Sequence, residues 1–225
     1  MKQSGVRSEQ RIEGVLFDLD GTLVDTAPDL LAALAVLCEQ QGRSTPSLQS
    51  LRQSVSQGAA GMIAMAFDRP ATEAMIETFL SHYNRHCWRH STVFPGVMDL
   101  VQCLHTAAVP MAVVTNKVTA LAEPVLAQSG LLPYFSRIIA GDTTPHPKPA
   151  PDPVLAACEA LALEPAQTVL VGDDQRDVVA ARAAGSAAAI AAWGYLPSDH
   201  SARQWGAQHW LEGPSDLLSL MAGDQ

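Results

Sequence analysis

The fold of this chain is decided by the stretch Val15-Leu16-Phe17-Asp18-Leu19-Asp20-Gly21-Thr22-Leu23-Val24-Asp25. It begins as an apolar run of strand character and ends in two carboxylates two residues apart. Side chains at i and i+2 of a strand share a face, so Asp18 and Asp20 are predicted to point into one crevice at the carboxyl end of a sheet. Two acids held so close repel each other unless a cation or a proton lies between them. Mg²⁺, which prefers oxygen ligands, is the simplest solution.

Length and composition restrict the class of protein. A chain of 225 residues allows one large domain or a core with a small insert. The net charge of −9 disfavours a nucleic-acid-binding surface. An anionic substrate is still compatible with this charge, because a metal ion and local cations can reverse the electrostatic field inside one cleft. The sequence has no apolar run of eighteen residues, so we expect no membrane span.

The cysteines and the amino-terminal segment indicate the compartment. Cys38, Cys87, Cys103 and Cys158 are far apart and show neither disulfide nor metal-ligand spacing, which is typical of a reducing environment. Residues 1–13 are polar and do not form a signal peptide, and the first dozen residues are predicted to be loosely held. We therefore expect a cytoplasmic protein.

Strand-like runs alternate with helical patterns along most of the chain. Val97, Leu100, Val101 and Leu104 recur with helical spacing, and another helical pattern closes at Gly185. This alternation predicts an α/β fold with a doubly wound, Rossmann-like, mostly parallel sheet. The predicted strands lie at 14–19, 111–115, 137–140, 168–172 and 187–191, with a weaker one at 208–211.

One segment interrupts the alternation. From residue 27 to residue 92 the patterns are helical only, which predicts a small all-helical cap inserted after the first strand and placed over the crevice. The predicted division is a catalytic core at 1–26 and 93–225 and a cap at 27–92. In such an arrangement the cap is expected to choose the substrate.

Polar residues follow four of the predicted strands, and a parallel sheet brings them to the same edge. Asp18 and Asp20 follow the first strand, and Thr115-Asn116-Lys117 follows the second. Lys148 lies in a proline-rich loop after the third strand, and Gly172-Asp173-Asp174-Gln175-Arg176-Asp177 ends the fourth. Each motif alone is weak evidence, but the four in this order are specific.

Taken together, the motifs resemble the haloacid dehalogenase superfamily, and specifically its phosphatases with a C1-type helical cap. The resemblance implies that Asp18 is a nucleophile that forms an aspartyl-phosphate and that Asp20 is the general acid and base. Thr115 and Asn116 would bind the phosphate. Lys148 would shield the charge between nucleophile and phosphate.

The same resemblance implies a Mg²⁺ site. Asp18 and Asp173 would contribute carboxylates, and Asp20 would contribute its backbone carbonyl. Asp174 and Asp177 would support the metal shell or the loop that follows it.

The residues present distinguish among the reactions that related proteins catalyse. Asp20 favours rapid hydrolysis of the intermediate, since relatives with a long-lived intermediate carry threonine there. The absence of lysine between residues 27 and 92 excludes the Schiff-base route of phosphonate-cleaving relatives. A phosphosugar mutase, similar to β-phosphoglucomutase, and a non-catalytic module that binds a phosphorylated metabolite stay as alternatives.

The predicted cap offers candidates for substrate recognition. Arg52, Gly58 in the loop 56–61, and the pair Arg85 and Arg89 are the candidates. The two arginines, four residues apart, are predicted to share a helix face and would suit a carboxylate or a sugar phosphate. A solvated helix face and a simple helix–helix turn are the competing interpretations.

At a finer level the chain resembles the phosphoglycolate phosphatase group and, within it, N-acetylmuramic acid 6-phosphate phosphatases of cell-wall recycling. The partner predicted by this resemblance is a small phosphorylated metabolite, with no nucleic acid and no membrane, and the choice between monomer and dimer stays open. The features that carry it are Thr115-Asn116-Lys117 with Ala122-Glu123-Pro124, the stretch 85–90, Trp193-Gly194-Tyr195 and Trp205-Gly206-Ala207.

Overall fold

The computed structural model describes residues 11–222, so the predictions for the first ten residues lie outside the described part. The strands are β1 (Gly14–Phe17), β2 (Val24–Asp25), β3 (Thr92–Val93), β4 (Met111–Val114), β5 (Arg137–Ile139), β6 (Thr168–Gly172), β7 (Ala187–Ala191) and β8 (His209–Leu211). The α-helices are α1 (Ala27–Gln40), α2 (Leu48–Arg52), α3 (Gly58–Phe67), α4 (Glu73–His86), α5 (Val97–Thr106), α6 (Thr119–Gln128), α7 (Asp152–Leu161), α8 (Gln175–Ala184) and α9 (Asp216–Ala222).

Six of these strands form one parallel sheet in the order β5-β4-β1-β6-β7-β8. Strand β1 lies near its centre, where Phe17 is paired with Val113 on one side and with Val171 on the other. The order runs outward from β1 in both directions, which is the doubly wound arrangement. The predicted α/β fold with a mostly parallel sheet is therefore confirmed.

The sheet is buried on both faces, which explains why its strands are continuous apolar runs rather than alternating ones. Every residue of β1, β4 and β6 is buried. Phe17 packs into a hydrophobic cluster on one face, and its neighbour Leu16 packs into a second cluster with Val154 and Val178 on the other face. Helices α7 and α8 supply this second layer.

Helices α1 to α4 lie between β2 and β3, which form a short antiparallel pair. Val24 is paired with Val93, and Asp25 with Thr92, so the chain enters and leaves the helical segment at one place. Two strands of two residues each are too short to be read from a hydrophobic pattern. The division into a core and a cap domain at 27–92 stays a prediction, which the position of this pair supports.

The buried carboxylate of Asp29 fixes the end of the helical segment. It accepts hydrogen bonds from the backbone amides of Arg89, His90 and Ser91 at 2.9–3.1 Å and from the Ser91 hydroxyl at 2.6 Å. Helix α4 ends at His86, and the amides that would continue it bind Asp29 instead. The prediction that Arg85 and Arg89 share a helix face is therefore wrong.

Among residues 11–222, no helix is both long enough and apolar enough to span a bilayer. Cys38, Cys87, Cys103 and Cys158 are all free thiols, and of the four only Cys103 is exposed.

Candidate active site

The predicted motifs meet at the carboxyl edge of the sheet. The Asp18 amide donates to the Val171 carbonyl at 2.9 Å, and the Thr115 amide donates to the Ile139 carbonyl at 2.9 Å. Each residue therefore continues the backbone hydrogen bonding of its strand by one residue, and this places its side chain at the carboxyl edge of the sheet. A cavity of about 250 Å³ lies above this edge. The predicted residues that line it are Asp18, Asp20, Gly58, Thr115, Asn116, Lys148, Asp174 and Asp177.

The carboxyl edge of the sheet forms the floor of the cavity. Lys148 is the central cation of this floor and is 3% exposed. Its ammonium group donates to the Val114 carbonyl and to Asp177 Oδ1, both at 2.6 Å, and lies 3.0 Å from Asp18 Oδ1. Burial opposes the charge, but Asp177 and Asp18 outweigh that effect and raise the pKa of Lys148. The lysine is therefore a permanent cation beside Asp18.

Asp18 is held through one of its two carboxylate oxygens. Its Oδ1 accepts from the Leu19 amide at 2.7 Å and from Lys148, whereas Oδ2 has no polar partner within residues 11–222. Burial raises the pKa of Asp18, Lys148 opposes this effect and Asp20 adds to it. The free oxygen belongs to a carboxylate that lines the cavity.

An acidic cluster adjoins Asp18. Carboxylate oxygens of Asp18, Asp173 and Asp177 all lie within 4.8 Å of one another. Asp173 is held from two sides, by the Thr22 hydroxyl at 2.7 Å and by the Tyr195 amide at 2.9 Å. Burial, together with the charges of Asp18 and Asp177, raises the pKa of Asp173 well above its ordinary value.

This cluster fits a hard divalent cation. The donor atoms are all oxygens, and burial makes their mutual repulsion costly. Lys148 pairs with Asp18 and Asp177, whereas Asp173 has, among the described residues, only the neutral Thr22 hydroxyl and Tyr195 amide as partners. Gly21 and Gly194 provide the necessary room, because a Cβ atom at Gly21 would lie 2.2 Å from Asp173 Oδ2 and one at Gly194 would lie 2.4 Å from Asp173 Cβ. The close packing around Asp173 explains both glycines.

Asp20 forms a second, separate ion pair. Its Oδ1 accepts from the Thr26 hydroxyl at 2.5 Å, and the Lys117 ammonium lies 3.0 and 3.2 Å from its two oxygens. Burial opposes the charge of Lys117, but Asp20 raises its pKa. Sequence reasoning quoted Lys117 within the Thr115-Asn116-Lys117 motif but gave it no role.

The Asn116 side chain links the end of β4 to the loop that contains Lys148. Its amide nitrogen donates to the Lys148 carbonyl at 2.8 Å, and its amide oxygen accepts from the Lys148 backbone amide at 2.9 Å. Both polar atoms of the side chain are occupied. A phosphate contact from this position would therefore come from the backbone.

Asp174 and Asp177 stabilise the start of α8 in a capping box. The Asp174 side chain accepts from the Arg176 amide at 2.8 Å, and Asp177 Oδ2 accepts from the Asp174 amide at 3.1 Å. The Arg176 guanidinium reaches across the cavity and donates to the Ser56 carbonyl of the helical segment. Arg176 is a second lining residue for which no role was predicted.

The roof of the cavity is formed by the helical segment and is mainly apolar. The helical-segment residues that line it are Leu30, Val55, Ser56, Gly58, Ala59, Met62, Phe79, Leu80 and Tyr83. The remaining wall is completed by Val118 and Leu121 at the start of α6. The cavity is thus charged below and apolar above.

The structure places the three predicted arginines outside the cavity lining. Arg52 pairs with Asp25 at 2.5 Å and lies over the Tyr195 ring, whose hydroxyl also donates to Asp25 at 2.7 Å. Arg85 is exposed and donates to the Ser81 carbonyl of its own helix. Arg89 is also exposed. The recognition roles predicted for these arginines stay untested, and the position of Arg85 outside the lining leads us to expect no such role for it.

Known proteins resemble this chain over almost its whole length. A phosphoglycolate phosphatase of Xanthomonas campestris pv. campestris is 40% identical over 214 residues, which cover 94% of this chain and 97% of the relative. An N-acetylmuramic acid 6-phosphate phosphatase of Pseudomonas aeruginosa is 34% identical over 215 residues, covering 94% and 95%. The crystal structure of a predicted phosphoglycolate phosphatase from Haemophilus somnus 129PT has a TM-score of 0.85 at 28% identity and covers 93% of this chain and 97% of that chain.

These similarities confirm the resemblance inferred from the four motifs and support phosphatase function. The model of the family described as haloacid dehalogenase-like hydrolase matches residues 15–191, from the start of β1 to the end of β7. Those residues contain the acidic cluster, both buried lysines and the helical segment. The chain therefore belongs to the haloacid dehalogenase-like hydrolase family.

Proposed function

We propose that this chain is a Mg²⁺-dependent phosphomonoester hydrolase that works through an aspartyl-phosphate on Asp18. The observation that carries the proposal is that the two carboxylate oxygens of Asp18, which lines the cavity, differ in their partners. Its Oδ1 is held by Leu19 and Lys148, which leaves Oδ2 to attack phosphorus. The identity to named phosphatases supports the same reaction class.

The proposed reaction has two halves. Asp18 Oδ2 forms a bond to phosphorus while the bond from phosphorus to the ester oxygen breaks. Asp20 enters this step protonated, gives its proton to the departing alkoxide and is left as a carboxylate that the second half protonates again. Water then attacks phosphorus, Asp20 takes up the proton, and the bond to Asp18 breaks to release inorganic phosphate. Lys148 and the Thr115 hydroxyl bind the phosphoryl oxygens throughout.

Mg²⁺ would be held by the carboxylates of Asp18 and Asp173, together with the Asp20 backbone carbonyl that the family resemblance adds. When bound, the ion neutralises negative charge on the carboxylates and on the phosphoryl oxygens. Asp177 supports the site by pairing with Lys148.

The substrate is a small phosphorylated metabolite, and we favour one of the size and polarity of N-acetylmuramic acid 6-phosphate over 2-phosphoglycolate. The roof residues Met62, Phe79 and Leu80 offer apolar contact, and phosphoglycolate has a single methylene group to use it. An acylated sugar phosphate carries methyl groups that would bury against them. A cytoplasmic location, as expected from the free cysteines, accords with such a metabolite.

The proposal is tested with a panel of phosphomonoesters ranked by kcat/KM, each with Mg²⁺ and with EDTA. We expect metal-dependent release of phosphate and, after rapid quench, a phosphoryl group on the peptide that contains Asp18. Asp18→Asn should lose turnover and keep its fold by circular dichroism. A phosphoryl group on another side chain would overturn the nucleophile assignment. Interconversion of phosphosugars with a bisphosphate requirement would identify a mutase, and no phosphate release from any ester would identify a binding module.

A further inference from the structure

The cavity contains a polar atom that the proposed chemistry does not use. Tyr83 lies on α4, is 1% exposed and lines the cavity. Its hydroxyl is buried and donates no hydrogen bond within residues 11–222. The nearby Lys117 ammonium is itself a donor, so it offers no acceptor for the hydroxyl proton. A buried hydroxyl without an acceptor costs free energy, so such an atom in a ligand cavity points to a partner that arrives from outside.

The surroundings of Tyr83 restrict what that partner is. The Lys117 ammonium lies 4.6 Å from the centre of the tyrosine ring and is bound to Asp20 on the floor. Burial raises the pKa of Tyr83 to about 12, so the hydroxyl keeps its proton at neutral pH and can act as a donor. Phe79 and Leu80, on the same helix, offer no acceptor in their side chains.

We propose that Tyr83 is a specificity-determining residue whose hydroxyl donates a hydrogen bond to an oxygen acceptor on the non-phosphate part of the substrate. The acceptor is a carboxylate or an acyl carbonyl, because the nearby Lys117 cation favours oxygen atoms that carry negative charge. This inference rests on the proposed function. It defines the substrate class as phosphate esters of hydroxy acids or of acylated sugars, as opposed to plain alkyl or aryl phosphates.

The test compares Tyr83→Phe with the wild type on esters that differ in the acceptor. N-acetylmuramic acid 6-phosphate and 2-phosphoglycolate carry an acceptor, and phenyl phosphate carries none outside its phosphate. We expect kcat/KM for the first two to fall roughly tenfold, mainly through KM, and kcat/KM for phenyl phosphate to stay within twofold. An equal fall for all three esters, or no fall for any, would overturn the assignment.

Tyr134→Phe is the matched control. Tyr134 lies outside the cavity lining, and its hydroxyl accepts a hydrogen bond from Gln102 at 3.2 Å, so its removal should leave all three esters unaffected. Thermal melts of the ligand-free proteins give a second readout. Tyr83→Phe should keep or raise the melting temperature because the hydroxyl donates no internal hydrogen bond within the described residues, and a clear decrease would show that its proton already has an acceptor.

The proposal can fail independently of the proposed function. If the wild type hydrolyses phenyl phosphate but Tyr83→Phe shows no change in selectivity, the hydrolase function is supported and the proposed role of Tyr83 is wrong. If the wild type hydrolyses no ester, the proposed hydrolase function is wrong. Calorimetric binding of N-acetylmuramic acid 6-phosphate to the wild type and to Tyr83→Phe then decides the role of Tyr83, with equal affinities counting against it.

Discussion

Replacing Lys148 with methionine should destabilise the ligand-free protein by about 3 kcal/mol at pH 8. The lysine side chain is 2% exposed and makes three short contacts, to Val114, Asp177 and Asp18. Methionine fills the space but leaves two buried carboxylates without their cation. Removing one partner of a buried ion pair costs about 3–5 kcal/mol. We expect the lower end, because burial already raises the pKa of Asp177 to about 7 with the lysine present, and the variant can neutralise this group by binding a proton.

Urea denaturation of both proteins in EDTA measures this loss, and its pH dependence tests the cause. The loss should shrink as the pH falls from 8 to 5, because protonated carboxyl groups no longer need a cation. Lys117→Met is the matched control and should cost less. The Lys117 side chain is 6% exposed and pairs with a single carboxylate, that of Asp20. A loss below about 1 kcal/mol at pH 8, or one that grows toward pH 5, would refute the reasoning.

Three further outcomes follow from single side chains. Asp29→Ala should lower the free energy of unfolding by about 3 kcal/mol, because three backbone amides and the Ser91 hydroxyl lose a charged acceptor; a loss under 1 kcal/mol in chemical denaturation would contradict this. Arg85→Ala should leave kcat/KM within twofold for every ester, since the side chain is exposed and outside the cavity lining, and a selective rise in KM would restore it to substrate recognition. In the folded protein the pKa of Asp177 is raised from its ordinary value of 3.8 to about 7. Between pH 3.8 and pH 7 the folded state therefore binds more protons than the unfolded state, so this group makes stability fall as pH rises through that range. Thermal melts in EDTA should accordingly show a steeper fall in the wild type than in Asp177→Asn, and equal slopes would rule this out.

The floor of the site could be predicted because its chemistry is local to strand ends. An apolar run predicts a buried strand, parallel strands end at one edge, and the residue just after each run must therefore lie there. Asp18, Thr115 and Asp173 follow this rule directly. Lys148 lies in a loop after β5 and reaches the same edge, where the buried carboxylates hold its ammonium group.

The roof could not be predicted in the same way, because its contacts depend on how the helical segment packs on the core. Lys117 lies over the ring of Tyr83 in the helical segment, and Arg176 donates to the carbonyl of Ser56, which is 120 residues away in sequence. No periodic pattern encodes such pairs. Helical spacing also suggested that the basic stretch after Tyr83 continues as a helix, whereas the Asp29 carboxylate binds the amides that would extend it.

The charges at the floor explain how an acidic protein can accept an anionic substrate. The groups concerned are four carboxylates, those of Asp18, Asp20, Asp173 and Asp177, and two ammonium groups, those of Lys117 and Lys148. When all six groups are ionised, their net charge is −2, and one divalent cation would neutralise it. Until that charge is neutralised, a phosphate dianion meets repulsion both from the floor and from a chain whose net charge is −9. The helical roof contributes no cation to the lining in the described residues, so phosphate affinity must come from the floor, and it should depend on metal far more than on any residue of the cap.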